Sequence, residues 1–295
     1  MKWVGIDLGD DRVAAVVVDE HGAVLSRATE AARSGDVASV ASGVLRVVQG
    51  GASPDGVGVT IPFHGDGVPA AVNDVIAQQA GGTPVAVHAG QALVLAEAWC
   101  GAARGLENVV SFAIGEHVTA GIVIGGTPLK GANGHAGSVA WLALNPVERE
   151  DYRRHGGLEA EVAAAGIVRR LVWRIKSGDR SRVMDRVGGD LTRLTADDVF
   201  AAARDGDGVC ISVIRDTAKY VGMAIANLAA VIDPECVVLG GTLATSGDLM
   251  FDAIRTECTR RLRPAQAERV RIVLSSLGDD AAAVGAARAA MLQPQ

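Results

Sequence analysis

Residues 3–25, WVGIDLGDDRVAAVVVDEHGAVL, are answered further along by residues 109–129, VVSFAIGEHVTAGIVIGGTPL. In the shared register Gly9 falls on Gly115, Asp10 on Glu116, and Val16-Val17-Val18 on Ile122-Val123-Ile124. Each segment reads as strand, glycine turn, strand, turn, strand. Glycine hairpins are common, so a short match would carry little; the length and register of this one point to duplication. A duplicated chain of this kind is expected to fold as two similar α/β domains facing each other. Its 295 residues agree with that count, at about 100–200 residues per domain.

Composition removes several function classes. Hydrophobic residues make up 49% and charged residues 21%, enough apolar material for cores and too little charge for disorder. Net charge is −6, from 28 basic and 34 acidic side chains, without the electrostatic footprint of a nucleic-acid binder. Aromatics at 3% argue against a stacking platform for single strands. Cys100, Cys210, Cys236 and Cys258 form no C-x-x-C pair and no metal framework, and read as buried reduced thiols of a cytoplasmic protein. Asp7 comes too early for a signal peptide, and the longest apolar run, 221–232, is too short to span a bilayer.

Between the repeats, Val37, Val40, Val44, Leu45 and Val48 recur at helical spacing, stopped by Gly50-Gly51. Residues 57–61 and 85–87 read as buried strands, the first closed by Pro62; 73–80 and 91–99 read as helices. Asn73-Asp74 reads as a helix N-cap. The loop 131–137 is glycine-rich, and 146–157 reads as polar and irregular. Helices are expected at 158–177, 195–204, 208–232, 251–263 and 279–292, with strands at 236–239 and 270–274. Asp279 or Asp280 would cap the last helix, and Asp233-Pro234-Glu235 is a turn. The pairs Arg153-Arg154, Arg169-Arg170 and Arg260-Arg261 read as solvated faces, and Trp141 as core.

The run VGMAIANLAAVIDPECVVLGG at 221–241, with WVGIDLG, LAEAWCGAARG, GGTPLKGANGHAG, GGLEA and GDDAAAVGAARAA, resembles the ROK family of bacterial sugar kinases and sugar-responsive repressors. The resemblance covers nearly the whole chain. It implies an α/β fold of two ribonuclease H-like (actin/hexokinase-like ATPase) domains with an interdomain cleft. The implied division is 1–110 plus 279–295 against 111–278. It also implies a homodimer, a sugar-like ligand, and a nucleotide held by Asp7, Gly9, Gly115, Gly240 and Gly241.

The family's chemical groups are largely replaced. Its first phosphate loop reads Asp-x-Gly-Gly-Thr, with glycines that let backbone N–H groups approach phosphate; here stands Asp7-Leu8-Gly9-Asp10-Asp11. Its second reads Gly-Thr-Gly; here stands Gly115-Glu116-His117. Unit charges about 6 Å apart at an effective dielectric of about 20 repel by about 3 kcal/mol, so these carboxylates oppose a triphosphate unless Mg²⁺ offsets them. The catalytic base, an Asp in Asn-Asp-Ala-Asn, corresponds to Ala89 in His88-Ala89-Gly90-Gln91. Alanine accepts no proton; adjacent His88 is the substitute base, weighed against a structural role. The family's Gly-Glu-x-Gly-His segment supplies a sugar-binding Glu and a zinc-binding His, which become Ser138 and Trp141. Its Cys-x-Cys-Gly-x-x-Gly-Cys-Leu-Glu loop becomes 150–159, EDYRRHGGLE, without a thiol. Glu159 survives, either on the sugar or at a helix N-terminus.

The expectation is therefore a pseudokinase kept for binding or regulation, with His88, Ser138 and Glu159 facing a sugar-like ligand. Zinc is excluded and ATP with Mg²⁺ disfavoured. The alternative is an active sugar kinase, glucokinase-like, with a remodelled site and an unusual substrate. Repressors of the family carry a helix-turn-helix ahead of this part, for which the sequence leaves no residues, so no nucleic acid and no membrane are expected as partners.

Overall fold

The computed structural model describes residues 1–9, 11–32, 36–50, 53–61 and 67–293. Asp10, Gly51 and Pro62 of the sequence reading lie outside them. The described residues divide into two compact units. One comprises 1–112, 120–137 and 275–295; the other comprises 113–119 and 138–274.

The first unit begins with β1 (Trp3–Leu8), β2 (Arg12–Val18) and β3 (Val24–Ala31), two antiparallel pairs built by β-branched runs around tight turns. Helix α1 (Val37–Gln49) crosses to β4 (Gly56–Ile61), parallel to β1, and α2 (Ala70–Ala80) crosses to β5 (Val85–His88), parallel to β4. The sheet order is β3-β2-β1-β4-β5. Every residue of β1 is buried, as befits a central strand covered on both faces.

One face packs Ile6, Val13 and Val59 against Ala41, Val44, Leu45, Val72 and Ile76 of α1 and α2. The other receives α3 (Ala89–Trp99) and the C-terminal helix α13 (Ala281–Met291) through Ala96, Ala283, Val284 and Ala287. Close approach is possible there because Gly5 and Gly58 are partners in the β1–β4 register. A Cβ on Gly5 would collide with the Ala283 carbonyl, and one on Gly58 with that of Ala286. The two glycines thus make a trough in the sheet that α13 fills.

The second sheet has the order β10-β9-β6-β7-β8, and the division between units passes through β6 (Val109–Ile114) and β7 (Val118–Ile124). Strand β8 (Thr127–Pro128) is antiparallel to β7; β9 (Cys236–Gly241) and β10 (Arg271–Leu274) are parallel. The three-strand opening predicted for both repeats is present in both sheets, with β8 much shorter than β3.

The second unit's helices are α4 (Glu150–His155), α5 (Glu159–Val162), α6 (Ala164–Lys176), α7 (Val183–Arg186), α8 (Ala196–Arg204), α9 (Gly208–Ile232), α10 (Thr242–Thr245), α11 (Gly247–Thr259) and α12 (Pro264–Ala267). Asp207 caps α9 by accepting from the Val209 and Cys210 N–H groups, both at 3.0 Å. At its far end Asp233 takes φ 51° as a left-handed cap, its N–H on the Ala229 carbonyl, and Pro234 follows it.

Several expectations are corrected. The polar stretch 146–157 is not irregular throughout: α4 forms there, with acids in its first turn and bases in its last. The expected helix 158–177 breaks at Ala163, whose ψ of 164° is extended. Asn73-Asp74 lies inside α2, which starts after Pro69. Asp280 precedes α13 but its side chain makes no cap hydrogen bond. Trp141 is 46% exposed rather than core.

Candidate functional site

The sequence-predicted residues gather into three clusters, two in the first unit and one in the second. At the end of β1, the Thr60 hydroxyl donates to Asp7 Oδ1 at 2.7 Å and accepts the Leu8 N–H at 2.9 Å. The β1–β4 ladder ends at Ile6↔Val59, so Thr60 continues by side chain the pairing the backbones stop making. Asp7 is 9% exposed and Thr60 fully buried. The Gly9 N–H closes the turn on the Arg12 carbonyl at 2.9 Å. Asp11 is exposed, with its carbonyl taking the Ala32 N–H.

The second cluster lies where β5 passes into α3. His88 pairs with Ile61 in register and then acts as the extended N-cap residue of α3. Ala89 is therefore the first helical residue, at the carboxyl end of a parallel strand, where α/β folds place ligands. Gly90 meets the backbone of Ala120, and Gly121 that of Gly90, so neither tolerates a Cβ. This contact seats α3 on β7. The glycine loop passes beside the same point: a Cβ on Gly134 would stand 3.9 Å from His88 Nε2.

The third cluster lies at the ends of β6 and β9. The Gly115 N–H donates to the His117 carbonyl at 2.9 Å, and the Gly115 carbonyl accepts from the Ala164 N–H at 3.1 Å. Gly240 stands against Ala113; Gly241, at φ 61°, leaves no room for a Cβ beside the Ile114 carbonyl. Glu116 and His117 are exposed. Glu159 is buried in the first turn of α5, which the break at Ala163 sets apart from α6. Its Oε2 accepts the Val118 N–H at 2.9 Å, and its Oε1 lies 3.2 Å from His117 Nδ1. Glu159 thus joins the β6–β7 turn. Ser138 precedes a short 3-10 turn at 139–141, its carbonyl accepting from the Trp141 N–H at 3.1 Å.

The residues at the family's zinc positions do not fit that metal. Glu150 pairs with Arg154 at 2.5 Å on the surface, Tyr152 donates its hydroxyl to Glu161, Gly157 has no side chain, and Trp141 offers a donor N–H. Among the described residues no three His, Cys, Asp or Glu side chains are gathered for a metal ion.

Sequence reasoning missed what takes that loop's place. Glu161, with 4% side-chain exposure, accepts from Arg149 Nη1 at 3.1 Å and from the Tyr152 hydroxyl, with Arg169 and Arg170 at 4.0 and 3.9 Å. Asp151 bridges Arg149, at 2.6 Å, and Arg169. The Arg149 guanidinium holds the Asp151 carboxyl below its usual range, with partial burial opposing and Arg169 assisting. Arg169-Arg170 is therefore no solvated face but part of an ionic lattice tying α4 and α5 to α6. Among the described residues, no helix is long and apolar enough to cross a membrane.

Two mixed five-stranded sheets with interleaved helices and carboxyl-end clusters define an α/β protein of the hexokinase-like class. The ROK family profile matches residues 28–292, and the chain belongs to the ROK family. It is 33% identical to a glucokinase of Halalkalibacterium halodurans over 196 residues, 65% of this chain and 58%, under two thirds, of that protein's length. It is 25% identical to a glucokinase of Thermotoga maritima across 97% of this chain and 96% of that one. A ROK family glucokinase from Streptomyces griseus, solved with glucose and AMPPNP, superposes with a TM-score of 0.83 at 23% identity, covering 99% of this chain and 100% of that one.

Proposed function

We propose that this ROK protein binds a sugar-like ligand without phosphorylating it, and serves binding or regulation. The start of α3 carries the reading. Ala89 stands at the position that the family resemblance gives to the base, and a methyl group takes no proton from a sugar hydroxyl. Further support comes from exposed Asp11 and Glu116 in the two loops where phosphate oxygens would lie, and from Asp7 being engaged by Thr60. A fold can keep its shape while its site changes use. His88, Ser138 and Glu159 remain the ligand residues of this reading. A homodimer in the cytoplasm, without DNA affinity, belongs to the same proposal, and sedimentation and a low-salt mobility shift check it.

The test is a coupled phosphorylation assay across hexoses, hexosamines and polyols with Mg-ATP, beside calorimetry with ATP. No turnover and no heat from ATP at about 1 mM, a very weak affinity, is the expected result. Robust turnover on any sugar ends the proposal. A second reading keeps catalysis and makes His88 the base, favoured by its place beside Ala89 and the glycine loop. Turnover that disappears in His88→Ala would establish it.

A further inference from the structure

A concentration of cationic groups lies apart from the three clusters, in the second unit. A cavity of about 460 Å³ is lined by Arg149, Arg169, Arg170 and Arg174, with Trp173 and Val213, and by a single carboxylate, Asp216. A second of about 460 Å³ shares Arg149, Arg170 and Asp216 and adds Lys219, Arg260 and Arg261 together with Glu161 and Glu257. On α6 the spacing Arg169, Arg170, Trp173, Arg174 puts all four on one helix face. Arg149 comes from the start of α4 and Asp216 from α9, so three elements build the wall.

Two of the balancing carboxylates are deeper than the arginines they hold, while Asp179, paired with Arg174 at 2.6 Å, is 42% exposed against 31%. Glu161 and Glu257 are 4% and 7% exposed, whereas Arg149, Arg169 and Arg261 are about 40% exposed. Arg149 donates Nε and Nη2 to Asp151 and Nη1 to Glu161, and Arg174 donates Nε to Asp179 and Nη1 to Ser212, so of five N–H donors each guanidinium keeps two or three for a ligand. Arg170 is the extreme case. Its Nη2 donates to Thr217, while Nε and Nη1 are buried without a hydrogen bond, and Glu161 is 3.9 Å away. Burial also presses on its charged form. An anion in the adjoining cavity would offset that cost. Guanidinium forks match the oxygens of a phosphate group, and lysine does so less specifically. Trp173, 69% exposed on the same wall, offers a flat apolar face to a ring.

We propose that this groove is a binding site for a phosphate monoester carried on a ring, with Arg149 and Arg174 on the phosphate and Trp173 against the ring. The site is separate from the residues of the proposed sugar site and stands whether or not the protein phosphorylates anything.

The experiment is calorimetry on the full chain at constant ionic strength, with inorganic phosphate, glucose 6-phosphate and AMP as probes and chloride as control. Saturable binding of at least one organic phosphate below about 1 mM, more tightly than inorganic phosphate, is expected. The two organic arms separate a sugar phosphate from a nucleotide. Arg174→Gln and Arg149→Gln should each weaken it by about tenfold or more, the usual effect of losing a charge-assisted hydrogen bond. Trp173→Leu should weaken the organic probes and leave inorganic phosphate unchanged. Asp216→Asn should tighten all three by a few-fold, a gain that a misfolded variant cannot mimic. Absence of saturable binding at about 10 mM overturns the site. So does binding indifferent to both arginine substitutions. A groove covered by a second copy, seen as a mass halved by Trp173→Leu with no ligand bound, also overturns it.

Discussion

Replacing Glu161 by Gln removes one charge from the ionic lattice and little else. The amide oxygen can still accept the Tyr152 hydroxyl, and the volume is unchanged. What is lost is attraction to Arg149 at 3.1 Å and to Arg170 at 3.9 Å. At an effective dielectric of about 20 those contacts are about 5 and about 4 kcal/mol gross. Arg149 is 40% exposed, so water screens its share. The carboxylate's own burial cost, several kcal/mol, is recovered when the charge goes. The remaining penalty is the buried Arg170 charge left with only the more distant Asp216 to balance it, which puts the net loss at about 3 kcal/mol. With a urea slope near 3 kcal/mol per M, the midpoint should fall by about 1 M. Far-UV circular dichroism follows that transition. Glu150→Gln, which breaks the exposed pair with Arg154, is the control and should cost under about 1 kcal/mol. Equal losses in the two variants would refute the argument, because the lattice would then contribute no more than a surface pair.

Acid should loosen the same lattice. Asp151 is held below its ordinary 3.8, first by Arg149, so its stabilisation is present above that value and is lost as pH falls through the lowered folded one. Melting curves from pH 7 to about pH 3 should fall less steeply for Asp151→Asn than for the wild type. Gly58→Ala should cost about 3 kcal/mol or more in urea unfolding, because its Cβ meets the Ala286 backbone and a main chain cannot swing aside; a neutral effect would mean α13 shifts freely. EDTA should leave the melting temperature unchanged, since Glu150, Tyr152 and Gly157 provide no thiolate; a drop would reveal a structural metal.

Much of the first unit was legible because its signals are local. The β-branched runs of β1 and β2, the heptad-like valines of α1 and the alanines of α13 each declare their element within a dozen residues. Helix α4 was missed although its signals are also local: Glu150 and Asp151 begin it, and three basic residues close it. Its lack of apolar residues hid it from a search by hydrophobic period. The lattice was missed for a different reason. Glu161 meets Arg149 across 12 positions and Arg170 meets Thr217 across 47, pairings that periodicity does not carry. A double arginine without a visible partner reads as surface. In the candidate site, Ala89 at the head of a helix after a strand was readable, because strand end and helix start are local events. Thr60 was not, since one hydroxyl in an apolar strand gives no hint of the carboxylate it holds.

The trough made by Gly5 and Gly58 has a bearing on biosynthesis. Strands β1 and β4 leave the ribosome long before the helix that fills their hollow, which is encoded at 281–291. Until those alanines emerge, the glycine trough stays open beside α3, and translation of most of the second unit intervenes. Stalled or prematurely terminated ribosomes should therefore release a product that chaperones and proteases recognise by that open trough.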